Sequence, residues 1–277
     1  MDNKKVSVVV CTKNCQDTIG ECLKSVIINN PFEVIVIDGK SEDDTLNIAK
    51  KYTGTILSDE GRGLSYARQL GADNAKGDCV AYIGSDNVLP VNALNVMLME
   101  MSQFEYAGIQ AQVKIMNTYN YWDWGMAQNF DMTHNKVEER EVIGTPCIFN
   151  KDIITKIERY DPNITYGADD TDLCLRIRKR GFKLGISTVV AYERRSTNFK
   201  DFSKRWQWYG MGDAQFIMKY PSRIIISLTH PLRSYIIRRS VFALKKKNYK
   251  VIPFFLCCGL LRYLGIIKGF YRIAIRK

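Results

Sequence analysis

Histidine is nearly absent: the 277 residues hold two, His134 and His230, far apart in the chain. That leaves neither a histidine-built metal centre nor a Ser-His-Asp hydrolase to pursue. Cysteine is present but unpatterned. The eight, at positions 11, 15, 22, 79, 147, 174, 257 and 258, form no CxxC pair and sit mostly inside apolar runs. Reduced, buried thiols are therefore expected, and no disulfide framework. With 7 prolines, 46% hydrophobic and 25% charged residues, a disordered or collagen-like chain is excluded. Long apolar runs are missing too. The tail's longest uncharged stretch, Val251 to Leu261, has eleven residues, below the roughly 18 to 20 that span a bilayer, so no transmembrane helix is expected. MDNKK leads straight into a β-type run without a secretion signal, which places the start of the protein inside the cell as an expectation.

Acidic residues are scarce in one region only. Beyond Glu193 there are 2 against 19 Lys and Arg, whereas residues 1–193 hold 27 acidic and 21 basic ones. The net charge of +11 is thus a C-terminal property. Such a segment reads as contacting a polyanion, an anionic membrane surface or a nucleic acid.

The pattern that is present alternates. VSVVVC (Val6 to Cys11) and VIVID (Val34 to Asp38) are β-branched runs flanking an apolar-periodic stretch from Thr18 to Ile28. Helices near Asp44 to Tyr52 and Leu64 to Ala75 then interleave with strands at Thr55 to Leu57 and Cys79 to Ile83. This predicts a parallel, twisted α/β sheet with ligands beyond the C-terminal strand ends. Thr12, Asp38, Ser58 to Glu60 and Ser85 to Asn87 are then expected on one rim. Further on, a helix is expected at Val91 to Met101 and strands at Tyr106 to Ile115 and Gly144 to Phe149. The aromatic segment holding Tyr119, Tyr121, Trp122, Trp124 and Phe130 has no element assigned by its pattern. A helix from Asp170 to Arg180 has acidic residues at its start, RIRKR near its end and Gly181 as stop.

Four segments together resemble the GT-A glycosyltransferases of family 2, inverting enzymes that use nucleotide-activated sugars. They are VSVVVCTKNCQDTIGECLKSV, EVIVIDGKSEDDT, GLSYARQLGADNAKGDCVAYIGSDN and GTPCIFNKDIITKIERYDPNITYGADDTDLCLRIRKRGFKLG. The resemblance covers roughly residues 5 to 193, in order, and continues more weakly through RWQWYGMGDAQF. It implies a GT-A, Rossmann-like, mostly parallel twisted sheet with flanking helices as a catalytic domain over 1–200, followed by a basic amphipathic helical tail over 201–277.

The resemblance also implies roles. Thr12 and Asp38 would contact the nucleotide, unless Asp38 merely caps the turn DGKSEDD. Arg68, in the Ala67-Arg68-Gln69 triplet, would meet phosphate or base oxygens. The family's DxD metal motif corresponds here to Gly84-Ser85-Asp86, whose first carboxylate is missing. Asp86 is then the main ligand for Mn²⁺ or Mg²⁺, with Ser85 and Asn87 as helpers. Glu193 stands where many relatives place a His, as a second oxygen ligand or as a salt bridge to Arg194 or Arg195. The family's Glu-Asp pair is replaced by Asp169 and Asp170. Asp170 is the expected base and Asp169 its neighbour in positioning the acceptor, with capping of the helix as the competing reading. Asp172 faces away from Asp170 on a regular helix, and Arg176 to Arg180 reads as a solvated helix end. Arg205, Trp206 and Trp208 resemble the segment that closes over donor and acceptor, or pack the tail.

In the last stretch, Arg262, Lys268, Arg272 and Arg276 fall within an arc of about 120° on a helix. Leu260, Leu264, Ile267, Tyr271 and Ile275 lie on the opposite face, while Gly259, Gly265 and Gly269 weaken helical continuity. The tail then docks on an anionic leaflet. The enzyme would sit peripherally on the inner face of the cell membrane, with a UDP- or GDP-sugar donor and a lipid-linked acceptor. No nucleic acid is expected, because the first 193 residues are acidic. A catalytically inactive nucleotide-sugar-binding relative is the main alternative, supported by Gly84. A nucleotidyltransferase is the other, though VCTKNCQD lacks a glycine-rich phosphate loop.

Overall fold

The computed structural model describes residues 4–133, 136–157, 159–194 and 198–275; His134, Arg195 and Arg276 lie outside them. Strands β1 (Val6–Thr12), β2 (Glu33–Asp38), β3 (Thr55–Ser58) and β4 (Cys79–Gly84) alternate with helices α1 (Ile19–Ile28), α2 (Thr45–Ala49) and α3 (Leu64–Asn74). Then come β5 (Asn87–Val88), α4 (Ala93–Gln103), β6 (Tyr106–Ile115), α5 (Tyr121–Thr133), β7 (Cys147–Asn150), α6 (Lys151–Lys156), α7 (Asp169–Lys179) and β8 (Lys183–Glu193). The C-terminal part is helical: α8 (Phe199–Lys219), α9 (Ile224–His230), a π-helical stretch Pro231–Arg239, α10 (Ser240–Lys245) and α11 (Ile252–Ile275).

The chain forms two compact units. The first comprises Met1–Met116, Thr133–Thr165 and Asp170–Arg195. Its sheet runs β3-β2-β1-β4-β7-β6-β8-β5. Strands β3, β2, β1 and β4 are parallel, as their alternation with helices requires. The rest is mixed, because β7 lies antiparallel between β4 and β6 and β5 lies antiparallel to β8. Successive β1 residues serve opposite faces: Val8 and Val10 pack with Leu23 and Met97, while Val9 packs with Ala67, Leu173 and Ile177. Both faces are buried, which explains why these strands read as continuous apolar runs. All eight cysteines are free thiols, and burial pushes Cys79 up to about 11, leaving it protonated and inert.

The second unit comprises Asn117–Met132, Tyr166–Asp169 and Ser196–Lys277. The aromatic segment belongs here as α5, and its side chains join a ring cluster. Trp122 lies 4.6 Å from Phe202, Phe202 lies 5.2 Å from Phe254, and Trp206 meets Tyr235 at 4.8 Å. Helices α8 and α11 touch backbone to backbone. A Cβ at Gly210 would lie 2.1 Å from the Arg262 carbonyl, and one at Gly265 2.2 Å from that of Gln207. Gly269 meets Ala214 and Met211 in the same seam. The glycines expected to interrupt α11 therefore stand inside a continuous helix. Close approach offsets their propensity cost of about 1 kcal/mol each. Gly265→Ala is expected to cost about 1 to 3 kcal/mol by overpacking, read as a lower denaturant midpoint; an unchanged midpoint would contradict this packing.

Tyr249–Ile275 is also long and apolar enough, by length and composition alone, to cross a membrane. The eleven-residue estimate missed this because charged side chains interrupt the run. Three of those charges, Arg262, Lys268 and Arg272, are engaged within the unit. The Arg262 guanidinium donates to both Asp213 oxygens at 2.5 and 2.8 Å and to the Tyr235 hydroxyl at 3.1 Å. Lys268 donates to Gln207, and Arg272 to the Tyr166 hydroxyl.

Candidate functional site

Strand register brings the expected rim together. Thr12 pairs with Asp38, Asp38 with Ser58, and Cys11 with Gly84, so three parallel strand ends and the turn after β4 lie side by side. Thr12 and Asp38 are buried. Both Asp38 oxygens accept from Ser41, from its amide at 3.0 Å and its hydroxyl at 2.6 Å, so the turn-capping role is real whatever else Asp38 meets. Asp59 also stands on this rim, 4% exposed, its amide donating to the Asp38 carbonyl. The sequence placed it within the stretch after β3 but did not single it out. Its signal was the acidic pair in SDEG directly beyond a strand. Arg68 is carried by α3, which lies tightly on β1: a Cβ at Gly71 would sit 2.3 Å from Val9 Cγ1. The Arg68 guanidinium is largely buried, 5.9 Å from the Tyr160 ring centroid.

In the turn Gly84-Ser85-Asp86, neighbouring side-chain oxygens occupy the place where the missing carboxylate's side chain would start. A Cβ on Gly84 would lie 2.8 Å from Oδ1 of both Asp86 and Asn87. The Gly84 amide donates to Asn87 Oδ1 at 3.0 Å. Two side-chain oxygens thus converge on the place a residue at 84 would fill. The Cys22 thiol donates to the Gly84 carbonyl at 3.3 Å. Burial pushes that thiol far up, and the nearby Asp86 charge adds to it. Across the β5–β8 ladder Glu193 pairs with Asn87, and the Arg194 amide donates to the Asp86 carbonyl at 2.8 Å. The Arg194 side chain pairs with Glu21 at 3.0 Å; Arg195, the other partner weighed for Glu193, lies outside the described residues. Among the described residues no three His, Cys, Asp or Glu side chains gather to hold a metal. An all-protein cage is therefore absent among them. The oxygen donors of Asp86 and Asn87, with buried Glu193 on the neighbouring strand, still fit a hard cation that takes its remaining ligands from phosphate and water.

Helix α7 begins at Asp169, which is buried, and continues with half-buried Asp170. Asp170 Oδ1 accepts from the Thr171 amide at 2.7 Å, and Oδ2 lies 3.3 Å from where a Gly144 side chain would start. The Gly144 amide is held by Gln110 Oε1 at 2.6 Å, a buried polar residue of β6 that the sequence did not flag. Burial pushes the Cys174 thiol far up, with smaller opposing effects from the Asp170 carboxylate, which raises it, and the Arg68 guanidinium, which lowers it. Asp172 is fully buried and bonded to Arg176 at 2.7 and 2.9 Å. Arg176 also donates to the Ile157 carbonyl, so the expected solvated helix end starts only at Arg178; the inward face of α7 takes Arg176.

On α8, Trp206 is 3% exposed among Phe202, Tyr209 and Tyr235. It is a core residue of its unit in this structure. Trp208 sits against Gly167, where a Cβ would be 2.3 Å from Cζ3. Arg205 is half-buried on the same helix.

A mixed α/β sheet with flanking helices and a polar rim at the ends of its parallel strands is the GT-A architecture. A model of glycosyl transferase family 2 matches residues 7–158, and the chain belongs to that family; it is a glycosyltransferase. It is 25% identical over 255 residues to a glucosyl-dolichyl phosphate glucuronosyltransferase of Haloferax volcanii, covering 83% of this chain and 80% of that one. A cholesterol galactosyltransferase of Borreliella burgdorferi is 33% identical over 100 residues, 34% of this chain and 28% of its own length. The fold matches a mannosyltransferase from Pyrobaculum calidifontis in complex with GDP-Man and Mn²⁺. The TM-score is 0.67 at 14% identity, with 97% of this chain and 88% of that one covered.

Proposed function

We propose that this glycosyltransferase moves a sugar with inversion from a UDP- or GDP-activated donor to a lipid-linked acceptor, a polyprenyl phosphate or a lipid-linked glycan. The observation that carries the reading is the strand register that sets Thr12, Asp38 and the Gly84-Ser85-Asp86 turn side by side, on the unit that also bears Arg68 and Asp170. The acceptor class is supported by the Haloferax relative, which resembles this chain over most of both lengths and is named for a dolichyl phosphate substrate.

Thr12 and Asp38 would hold the nucleoside, Arg68 and Ser85 the diphosphate. Asp86, with Asn87 and Glu193, would hold Mn²⁺ or Mg²⁺, which neutralises charge developing on the leaving diphosphate. The acceptor oxygen attacks the anomeric carbon opposite the leaving group. One C–O bond forms as the bond to the diphosphate breaks, and Asp170 takes the hydroxyl proton. The start of α7 favours the ionised carboxylate, the form a base needs. Asp169, buried beside it, would fix the acceptor side.

The test is a panel of UDP- and GDP-sugars with Mn²⁺ or Mg²⁺ and a membrane lipid extract, with the product anomer read by NMR. Inverted sugar on lipid supports the reading, and retention overturns the mechanism. Metal-dependent donor binding without transfer, where a known lipid-acceptor enzyme works, would favour the inactive relative that Gly84 suggests or an acceptor missing from the extract. Glu193→Gln is expected to raise the Mn²⁺ concentration needed for half-maximal activity; unchanged metal dependence removes Glu193 from the ligand set.

A further inference from the structure

Helix α11 presents the face opposite to the one its charge pattern suggests. The basic residues Arg262, Lys268 and Arg272 reach Asp213, Gln207 and Tyr166 of their own unit. The apolar stripe is left outside. Leu260 is 59% exposed, Leu264 49%, Ile267 65%, Tyr271 68% and Ile275 65%. With Leu256 they follow one another at intervals of three or four, within an arc of about 100° and over about 28 Å of helix. A soluble protein does not ordinarily leave a continuous aliphatic row of this length in water.

We infer that this stripe is the surface by which the protein lies on a lipid bilayer, with α11 in the plane of the interface and its apolar side in the headgroup–acyl boundary. Two further observations select lipid over a second copy of the chain. Lys245, Lys246, Lys247 and Lys250, all exposed, form a cationic cluster directly before α11. Clusters of this kind beside an exposed apolar stripe match an anionic leaflet. A second copy would instead bring like charges together, since the segment after Glu193 holds 19 basic and 2 acidic residues. Apolar exposure also extends beyond one helical seam, to Ile224, Ile225 and Ile226 on α9. The basic residues of α11 hold the helix in place, and its aliphatic residues make the lipid contact. The inference deepens the lipid-acceptor reading by naming the surface, and it rests on that reading only for why this enzyme should meet a membrane.

The experiment is co-sedimentation of the full chain, without donor, with vesicles of phosphatidylcholine alone or mixed with phosphatidylglycerol, at low and high salt. The expected result is binding to the anionic vesicles with a fraction that survives high salt. Leu264→Glu with Ile267→Glu should lower partition by more than about tenfold, with an unchanged circular dichroism spectrum because both sites are exposed. Replacing Lys245, Lys246 and Lys247 by Ala should remove only the salt-sensitive part. The inference is overturned if the full chain stays in the supernatant with both vesicle types, or if the double variant binds as well as the parent. It is equally overturned if the double variant converts a dimer to a monomer without changing partition, which would assign the stripe to a second copy. Because no transfer is measured, failure of docking and failure of the proposed activity are separate results.

Discussion

Asp170→Asn is expected to lower transfer to a hydroxyl acceptor by about 10² to 10⁴-fold, the usual contribution of a positioned base. Donor affinity should stay the same, because Asp170 lies at the start of α7 and the expected nucleotide contacts lie at the ends of β1 and β2. The substitution is nearly isosteric, so the Thr171 amide keeps an oxygen acceptor at the place Asp170 Oδ1 now fills. The size of the loss also reports the attacking group. A phosphate monoester loses its second proton near pH 6, so at neutral pH its oxygen attacks without needing a base. A large loss with a lipid-linked glycan and a small one with a polyprenyl phosphate would assign Asp170 to deprotonation. Full activity with every acceptor would remove it from that role.

Arg262→Ala is expected to destabilise the helical unit by about 3 to 5 kcal/mol. The Arg262 and Asp213 side chains are only 14% and 16% exposed, and removing one partner leaves the other's charge without compensation. Burial opposes the Arg262 charge, but Asp213 beside it raises the Arg262 pKa overall, so the guanidinium stays charged. Two controls separate charge from volume. Asp213→Leu alone should be as damaging as Arg262→Ala. Arg262→Met combined with Asp213→Leu should recover most of the loss, since an apolar pair of similar volume avoids the desolvation of both charges. Chemical denaturation followed by tryptophan fluorescence reads this unit, where Trp122, Trp124, Trp206 and Trp208 all reside. If the double variant is no better than either single one, the pair does not act as a unit.

Strands β1, β2 and β4 were legible because both their faces are buried, which leaves short β-branched runs between helical periods, and the half-buried edge strand β3 follows the same spacing. The antiparallel insertion of β7 was not, since direction leaves no mark on residue alternation. Helix α5 escaped because its aromatics surround the helix and meet partners more than 70 residues away, Phe199, Phe202 and Phe254. No local period encodes that. Of the candidate site, the rim residues could be read directly, as strand ends are visible in sequence. Asn87 and Gln110 gain their importance only from the turn and ladder that hold them. The orientation of α11 was the hardest to foresee. Amphipathicity identifies two faces, but which one turns inward depends on Asp213, Gln207 and Tyr166 standing ready to receive the basic one.

The glycine seam between α8 and α11 has a consequence for the environment in which the unit holds together. Most helix pairs in water are held by expelling it from aliphatic side chains, a force that vanishes where the surroundings are themselves hydrocarbon. At Gly210, Gly265 and Gly269 the two backbones meet with almost no side chain between them. Contact of that kind relies on dispersion and shape, as in helix dimers within bilayers. Such a seam would hold unchanged if α11 met an oily medium in place of an aqueous one.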